Sequence, residues 1–311
     1  MDLCTPFILP RHGEFLPTRI LPGPMEGVTT GDFLKVMTRH QWIQAWWTPF
    51  LRISQAVPRP SRLRHWLEPF RESGLPVLVQ LMGTNSARLA QAAKGMSLQG
   101  AKGIDLNCAC PSPVVLGNGA GGTRLKTPEW LAEAICAIKS AVECPVGIKV
   151  RMGFASPDEF REQIAPAIRE GAPDFVTVHF RTVVEGYEPI PDGLERLKSA
   201  RKALPDIPLV GSGNLFTPQD VIKMRDICGV DAVAPARGLL RNPRLLVDIR
   251  QVLQGETPAP WTQDEKYALL REFQEGDSPL GFVLRMAANL FDRTSPEFQE
   301  IVRSLVPRKN L

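Results

Sequence analysis

The chain has 311 residues, of which 43% are hydrophobic and 23% are charged, and its formal net charge at pH 7 is +4. No apolar run approaches the roughly 20 residues that a membrane-spanning helix needs, and the N-terminus has no basic region followed by an apolar core, as a signal peptide would. We therefore expect a cytoplasmic protein with no membrane segment, long enough for one large domain and a smaller one.

The six cysteines follow no repeated spacing, which argues against a disulfide framework. Cys108 and Cys110 stand one residue apart, but no second close cysteine pair and no paired histidines accompany them, so we expect no metal site. The net charge is compatible with a polyanionic partner without requiring one. A basic run, typical of either a solvated face or a nucleic-acid patch, holds five arginines and one opposing acid: Arg52, Arg59, Arg62, Arg64, Arg71 and Glu68.

Short apolar runs alternate with amphipathic stretches, as in parallel strand–helix units. We predict strands at residues 19–22, 45–48, 77–81, 104–106, 146–149, 175–179, 209–211 and 232–234. The predicted helices are 86–99, 127–142, 157–170, 192–204 and 217–227. Eight such units indicate an α/β fold of the (β/α)8 TIM barrel type. A doubly wound open sheet is the alternative, but no G-x-G-x-x-G follows the first predicted strand.

The pattern changes near residue 256, where the segment TPAPW resembles a linker and strands no longer follow. Three helical stretches remain, at about 263–274, 281–292 and 296–305. We therefore divide the chain into an N-terminal arm (1–17), a barrel (18–256) and a small all-helical C-terminal domain (257–311).

The most informative stretch is residues 103–122, which reads GIDLNCACPSPVVLGNGAGG. A short strand ends in Asn107, two cysteines follow, and a glycine-rich run closes the loop. The carboxyl ends of parallel strands are where such folds bind ligands and carry out chemistry. The pattern therefore places an amide (Asn107) and a thiol (Cys110) in a candidate active site.

Other strand ends carry residues that suit a flavin. Gln80, Lys149 and His179 end three predicted strands; the glutamine can bond the pyrimidine edge of an isoalloxazine ring, and the lysine can balance charge on its nitrogen 1. Glycine-bearing turns after the last two strands, Ser212-Gly213-Asn214 and Ala236-Arg237-Gly238, would direct backbone N–H groups at a phosphate.

On these motifs the chain resembles the tRNA-dihydrouridine synthases, FMN-dependent flavoproteins that reduce a uridine of tRNA with NADPH. The Met-Glu-Gly after the first strand and the Asn-Cys-x-Cys-Pro-Ser motif resemble the C-type subgroup, which acts on uridine 16 of the D loop. The matching stretches run in order along the barrel: GPMEGVT (23–29), VLVQLMG (77–83), DLNCACPSPVVLGNGAGG (105–122), IKVRMG (148–153), VTVHFRTVVEGY (176–187), GSGNLF (211–216) and ARGLLRNP (236–243).

The resemblance implies roles for individual positions, with tRNA as partner, NADPH as reductant and a monomer expected. It makes Cys110 the catalytic residue and the helical domain a tRNA-recognition domain. The implied FMN-binding residues are Pro24, Met25, Glu26, Gln80, Lys149, His179, Ser212, Gly213, Asn214, Ala236 and Arg237. The implied or candidate substrate contacts are Asn107, Arg52, Arg181, Thr182, Tyr187 and Arg285.

The chain departs from the family pattern at three loops. The family has Asn-Gly-Glu/Asp where this chain has Ser212-Gly213-Asn214, and Gly-Arg-Gly where it has Ala236-Arg237-Gly238. The subgroup's Thr-Glu-Phe is Thr48-Pro49-Phe50 here, so a carboxylate that would contact the substrate base is missing.

Two other functions are compatible with parts of the pattern. One is an FMN barrel that reduces a free pyrimidine, as dihydroorotate dehydrogenases do; the Cys-Pro after Asn107 and the helical tail argue against it. The other is a tRNA-binding protein that has lost catalysis, which the intact Cys110 and Lys149 argue against.

Overall fold

The computed structural model describes residues 2–276 and 278–305. Residue 1 of the predicted arm and residues 306–311 of the predicted helical domain lie outside this range. Two short strands first form an antiparallel hairpin: β1 (Phe7–Leu9) and β2 (Gly13–Leu16). Seven parallel strands then form one sheet in chain order: β3 (Trp46–Ile53), β4 (Val77–Gly83), β5 (Gly103–Cys108), β6 (Val146–Arg151), β7 (Phe175–His179), β8 (Leu209–Ser212) and β9 (Ala232–Val233).

The first predicted strand, residues 19–22, is reduced to a single parallel bridge between Ile20 and Val233. Backbone hydrogen bonds from Leu21 N to Val233 O (2.9 Å) and from Val233 N to Arg19 O (2.8 Å) hold it beside β9. Pro22, at the end of this stretch, has no N–H to donate to a ladder, so the stretch stays irregular. The remaining predicted strands are confirmed, and the fold is the predicted (β/α)8 TIM barrel.

Helices fill most of the connections between strands, and the five predicted barrel helices are present. Five further helices before residue 257 were not predicted. The helices are α1 (Gly31–Arg39), α2 (Pro60–Arg71), α3 (Ser86–Leu98), α4 (Pro113–Gly117), α5 (Pro128–Lys139), α6 (Ala165–Gly171), α7 (Gly193–Ala203), α8 (Pro218–Cys228), α9 (Gly238–Arg241), α10 (Leu245–Leu253), α11 (Gln263–Glu275), α12 (Leu280–Leu290) and α13 (Pro296–Leu305). A 3₁₀ turn covers Gly121–Lys126, and a π-helical turn over Phe160–Ile164 leads into α6.

The N-terminal hairpin closes the end of the barrel where the strands begin. The rings of Phe7 and Phe15 pack on Phe175, the first residue of β7, with centroids 6.2 and 5.5 Å away. Asp174 accepts hydrogen bonds from Val146 N (2.8 Å) and Lys139 Nζ (3.1 Å) beside this cluster. The predicted arm is therefore part of the core, and the opposite end of the barrel is left open.

Phe15→Ala is expected to lower the free energy of unfolding by about 3–5 kcal/mol, because the ring is buried between two others and its loss leaves a cavity. Chemical denaturation measures this change. Ile8→Ala is the matched control, since Ile8 lies in the same hairpin with 55% of its surface exposed and should change stability by less than about 0.5 kcal/mol. Equal effects of the two substitutions would contradict a closing role for the hairpin.

Helices α11 and α12 pack on each other and on α1, and α13 packs on α12. The ring of Phe273 on α11 lies 5.3 Å from Phe282 on α12, and both lie near Phe33 of α1, at 6.4 and 6.3 Å. Thr262 begins α11 with a reciprocal capping box to Glu265. These helices are confirmed, while the domain boundary at residue 257 stays a prediction. None of the described helices is long and apolar enough to cross a membrane.

Candidate active site

The carboxyl ends of the strands surround a cleft of about 1120 Å³ of empty space, its open mouth included. Its position matches the expectation for a parallel barrel. Fourteen of the predicted site residues line it: Pro24, Met25, Glu26, Gln80, Asn107, Cys110, Lys149, His179, Tyr187, Ser212, Gly213, Asn214, Ala236 and Arg237. The structure thus brings these residues to one place, and their individual roles stay predictions.

Two of the remaining predicted residues lie behind the wall of the cleft. Arg181 is 1% exposed; its Nε donates to Glu188 O (2.5 Å) and its Nη1 donates to Asn214 Oδ1 (3.1 Å). Thr182 is also buried, and its backbone N–H donates to Glu185 (2.7 Å). Both residues brace the loop that leads to Tyr187.

The last two predicted residues lie outside the cleft. Arg52 is exposed near the end of β3 and lines a neighbouring groove. Arg285, on α12, donates from Nη1 to Gly27 O (3.3 Å) and so joins the helical region to the loop after the first barrel stretch.

A chain of hydrogen bonds holds the loop that carries Cys110. Asn107 Oδ1 accepts from the backbone N–H groups of Ala109 and Cys110, both at 3.0 Å. These donors fix the amide orientation, so Asn107 Nδ2 donates to Gln80 Oε1 (2.8 Å) and Gln80 Nε2 donates to Asp105 Oδ2 (2.6 Å). A buried carboxylate therefore orients two amides and, through them, the backbone of the loop.

Burial shifts the protonation of the groups beneath the cleft. It raises the pKa of Asp105 to about 7, although the hydrogen bond from Gln80 and the charge of Lys149 both act to lower that pKa. Burial, together with the charge of Arg151, lowers the pKa of Lys149 to about 8. The pKa of His179 lies well below its usual value for the same two reasons, so its imidazole is neutral at pH 7.

The two neighbouring cysteines differ in environment. Cys108 is wholly buried in the barrel core, and burial raises the pKa of its thiol. Cys110 is partly buried and lines the cleft. Only Cys110 of this pair therefore faces a ligand space, as the sequence pattern predicted.

Arg151 is a part of the site that the predictions did not include. Its Nε donates to Ala109 O (2.8 Å), and its Nη1 donates to the carbonyls of Thr182 (2.8 Å) and Gly186 (2.7 Å). Its guanidinium also lies 5.3 Å from the ring centroid of Tyr187. Arg151 therefore connects the Cys110 loop to the loop that carries Tyr187. Its position at the end of β6 is the sequence feature from which it could have been predicted as a site residue.

Comparison with known proteins decides the family. The family model described as dihydrouridine synthase (Dus) matches residues 20–302. The chain belongs to the dihydrouridine synthase family. Among its curated relatives, tRNA-dihydrouridine(16) synthase of Salmonella typhimurium is 33% identical over 280 residues, 86% of this chain and 87% of the relative. The protein of the same name from Escherichia coli (strain K12) is 32% identical over 302 residues, 91% of this chain and 93% of the relative.

Solved structures show the same fold at low sequence identity. Histamine dehydrogenase from Rhizobium sp. 4-9 superposes with a TM-score of 0.62 at 16% identity, over 81% of this chain and 48% of its own. TcOYE, solved with pHBA, superposes with a TM-score of 0.60 at 12% identity, over 83% of this chain and 95% of its own.

The first departure from the family pattern has a clear structural consequence. Asn214 has a left-handed backbone (φ 48°), and its Oδ1 accepts from Arg181 Nη1 (3.1 Å) and Arg237 Nη2 (3.4 Å). The side chain of Asn214 is a neutral amide, so it accepts hydrogen bonds from both arginines without compensating their charge. Gly213 (φ 126°) is required here, because a Cβ would lie 2.6 Å from the ring of Phe180.

The departure at Pro49 reshapes β3. The register between β3 and β4 shifts between Trp47 and Phe50, and Gln80 N donates to the Thr48 hydroxyl at 3.0 Å. The irregular strand directs Phe50, a residue the predictions did not include, into the cleft. An apolar ring therefore lines the cleft at the residue that follows Pro49.

The described residues contain no group of three or more His, Cys, Asp or Glu side chains placed to hold a metal ion. The expectation that the enzyme works without a metal stays a prediction.

Proposed function

We propose that this protein reduces a uridine of the tRNA D loop, at position 16, to 5,6-dihydrouridine, with FMN as its cofactor and NADPH as reductant. The observation that carries the proposal is the pairing of a cleft-facing thiol, Cys110, with a half-buried ammonium, Lys149, at the ends of neighbouring strands. The names of the relatives support the substrate and the position.

The residues present fit FMN at both of its ends. Lys149 Nζ has no hydrogen-bond acceptor within residues 2–276 and 278–305, so it is free to meet an electron-rich ring edge. Gln80 keeps one N–H after its bond to Asp105. At the other end, the Gly213 turn and Arg237 offer backbone donors and a positive charge to a phosphate. When bound, FMN supplies the hydride that saturates carbon 6 of the uracil.

Cys110 supplies the second half of the reduction. Hydride addition at carbon 6 leaves enolate-like charge, and the base needs a proton at carbon 5. The Cys110 thiol donates it as a general acid, and the Asn107 amide keeps the loop in place while it does so. This role uses the thiol form of the side chain, whereas a nucleophilic cysteine attacks as the thiolate.

The target uridine must leave the folded tRNA to reach this cleft. Turning a base out costs a few kcal/mol, less in a loop than in a duplex. Tyr187 is exposed at the cleft, with the guanidinium of Arg237 4.4 Å from its ring centroid, and in this proposal it receives the base or its ribose. Contacts with the phosphate backbone offset the cost, so binding is expected to weaken with salt.

Mapping dihydrouridine in tRNA from a strain that lacks the gene tests the proposal. We expect loss at position 16 alone and its return when the wild-type gene is restored. Loss at a different position would overturn the position, and no loss at any position would overturn tRNA as substrate. An enzyme that oxidises its reduced flavin with free uridine as readily as with tRNA would instead be a free-pyrimidine reductase.

A further inference from the structure

A second hollow opens beside the active-site cleft, between the end of β3 and α2, with about 1610 Å³ of empty space including open solvent. We call it the β3–α2 groove. Its polar lining includes Arg52, Arg59, Arg62 and His65, and Trp66 is its aromatic side chain.

Three arginines of this groove form no ion pair with the acidic residues that the structure describes. Arg52, Arg59 and Arg62 are exposed, and no carboxylate in the described part of the chain lies within 4 Å of their guanidinium groups. Glu68, the acid on the same helix, lies 3.7 Å from His65 instead. Like charges gathered without ion-pair partners repel one another, so this surface favours an anionic partner.

The groove and the cleft share a wall. Phe50 lines the cleft, while Leu51 and Arg52, the next two residues of β3, line the groove. Burial raises the pKa of Glu26 at the cleft, and the positive charge of Arg52 acts in the opposite direction. Arg52 therefore stands between the two hollows, close enough for its charge to be felt at the cleft.

We propose that the β3–α2 groove binds the sugar–phosphate backbone of the RNA whose base enters the cleft. The inference rests on the proposed function and adds a second place where the substrate is held, away from the helical C-terminal region. Guanidinium groups match phosphate oxygens in geometry as well as charge. A nucleic-acid strand with one base in the cleft has further phosphates within reach of an adjoining groove. An isolated anion or an acidic protein surface would not link the two sites in this way.

The test compares two doubly substituted holoenzymes with the wild type. Arg59→Ala/Arg62→Ala removes two groove charges, and Arg161→Ala/Arg169→Ala removes two exposed charges near α6, three sheet strands away from β3. Fluorescence anisotropy with labelled tRNA is measured over a range of KCl concentrations. We expect the groove variant to bind about tenfold more weakly and its logarithmic salt slope to fall by about 2, roughly one for each phosphate that the missing arginines no longer neutralise.

Flavin absorbance and NADPH oxidation by the flavin should be unchanged in both variants, and the control should keep the wild-type slope. Arg59→Lys/Arg62→Lys should restore most of the slope. If the wild type binds tRNA but the groove variant binds equally well, this inference is wrong. A control variant that weakens as much as the groove variant would also overturn it. If the wild type fails to bind tRNA, the proposed function itself fails.

Discussion

Replacing Cys110 by alanine is expected to slow tRNA reduction by about 10²–10⁴-fold while the protein keeps its flavin. The residue lines the cleft and is only partly buried, so its loss leaves the barrel core intact. The proton for carbon 5 would then have to come from water. Single-turnover oxidation of the reduced enzyme by tRNA measures this step directly, and the flavin absorbance spectrum reports retention of the cofactor.

Cys108→Ala is the matched control, because it removes the same atom two residues away. Cys108 is fully buried, so this variant should lose stability but keep its rate of tRNA reduction. If Cys110→Ala reduces tRNA at the wild-type rate, or if Cys108→Ala is the slower of the two, Cys110 is not the proton donor.

The fold was predictable where the spacing of hydrophobic residues and the capping residues at the ends of an element indicated the same element. Thr217 and Pro218 mark the start of α8, and the structure adds the full capping box with Asp220. Helix α2 was missed although Leu63, Leu67 and Phe70 form a buried face, because its charged composition and internal Pro69 obscure the period. Such elements depend on packing against neighbours distant in sequence.

The site was predictable through the rule that strand ends converge, which placed Gln80, Asn107 and Lys149 in one cleft. The rule was not applied to the end of β3, where Phe50 lines the cleft; Arg52 was predicted from the basic run and lies in the neighbouring groove. The bulge at Pro49 changes which side chains face the cleft, and it depends on the Thr48 hydroxyl bonding Gln80 N, 32 residues away in sequence. The bonds of Arg151 to residues 31 and 35 positions away are equally invisible to local patterns.

Lys149→Met is expected to slow tRNA reduction by about 10²-fold and, at the same time, to stabilise the fold. In the proposed reaction the ammonium stabilises negative charge that develops during the reduction, and loss of one such electrostatic group typically costs about 10²–10³ in rate. Methionine keeps the volume of the side chain but removes its charge. Turnover is measured at saturating FMN, so that weaker cofactor binding does not account for the loss.

The gain in stability follows from the shifted protonation of Lys149. Its pKa falls from 10.5 in the unfolded chain to about 8, so the unfolded state holds the proton more tightly. Below pH 8 this difference destabilises the fold by about 3 kcal/mol at most. Solvent in the cleft screens part of it, and Asp105 takes up a proton once the lysine charge is gone. We therefore expect the variant to be more stable at pH 7 by about 1–2 kcal/mol.

The pH dependence separates this cause from better packing. The wild-type penalty is complete below pH 8 and fades as the pH rises through 10.5, so the advantage of Lys149→Met should shrink between pH 7 and pH 10. Lys223→Met, on the exposed face of α8, should change neither turnover nor stability by a measurable amount. An advantage that stays constant with pH would mean that packing, and not the buried charge, explains it. A variant less stable than the wild type at pH 7 would mean that the attraction between Lys149 and Asp105 stabilises the fold by more than the desolvation of the lysine charge destabilises it. In that case no electrostatic destabilisation would remain for cofactor binding to reduce.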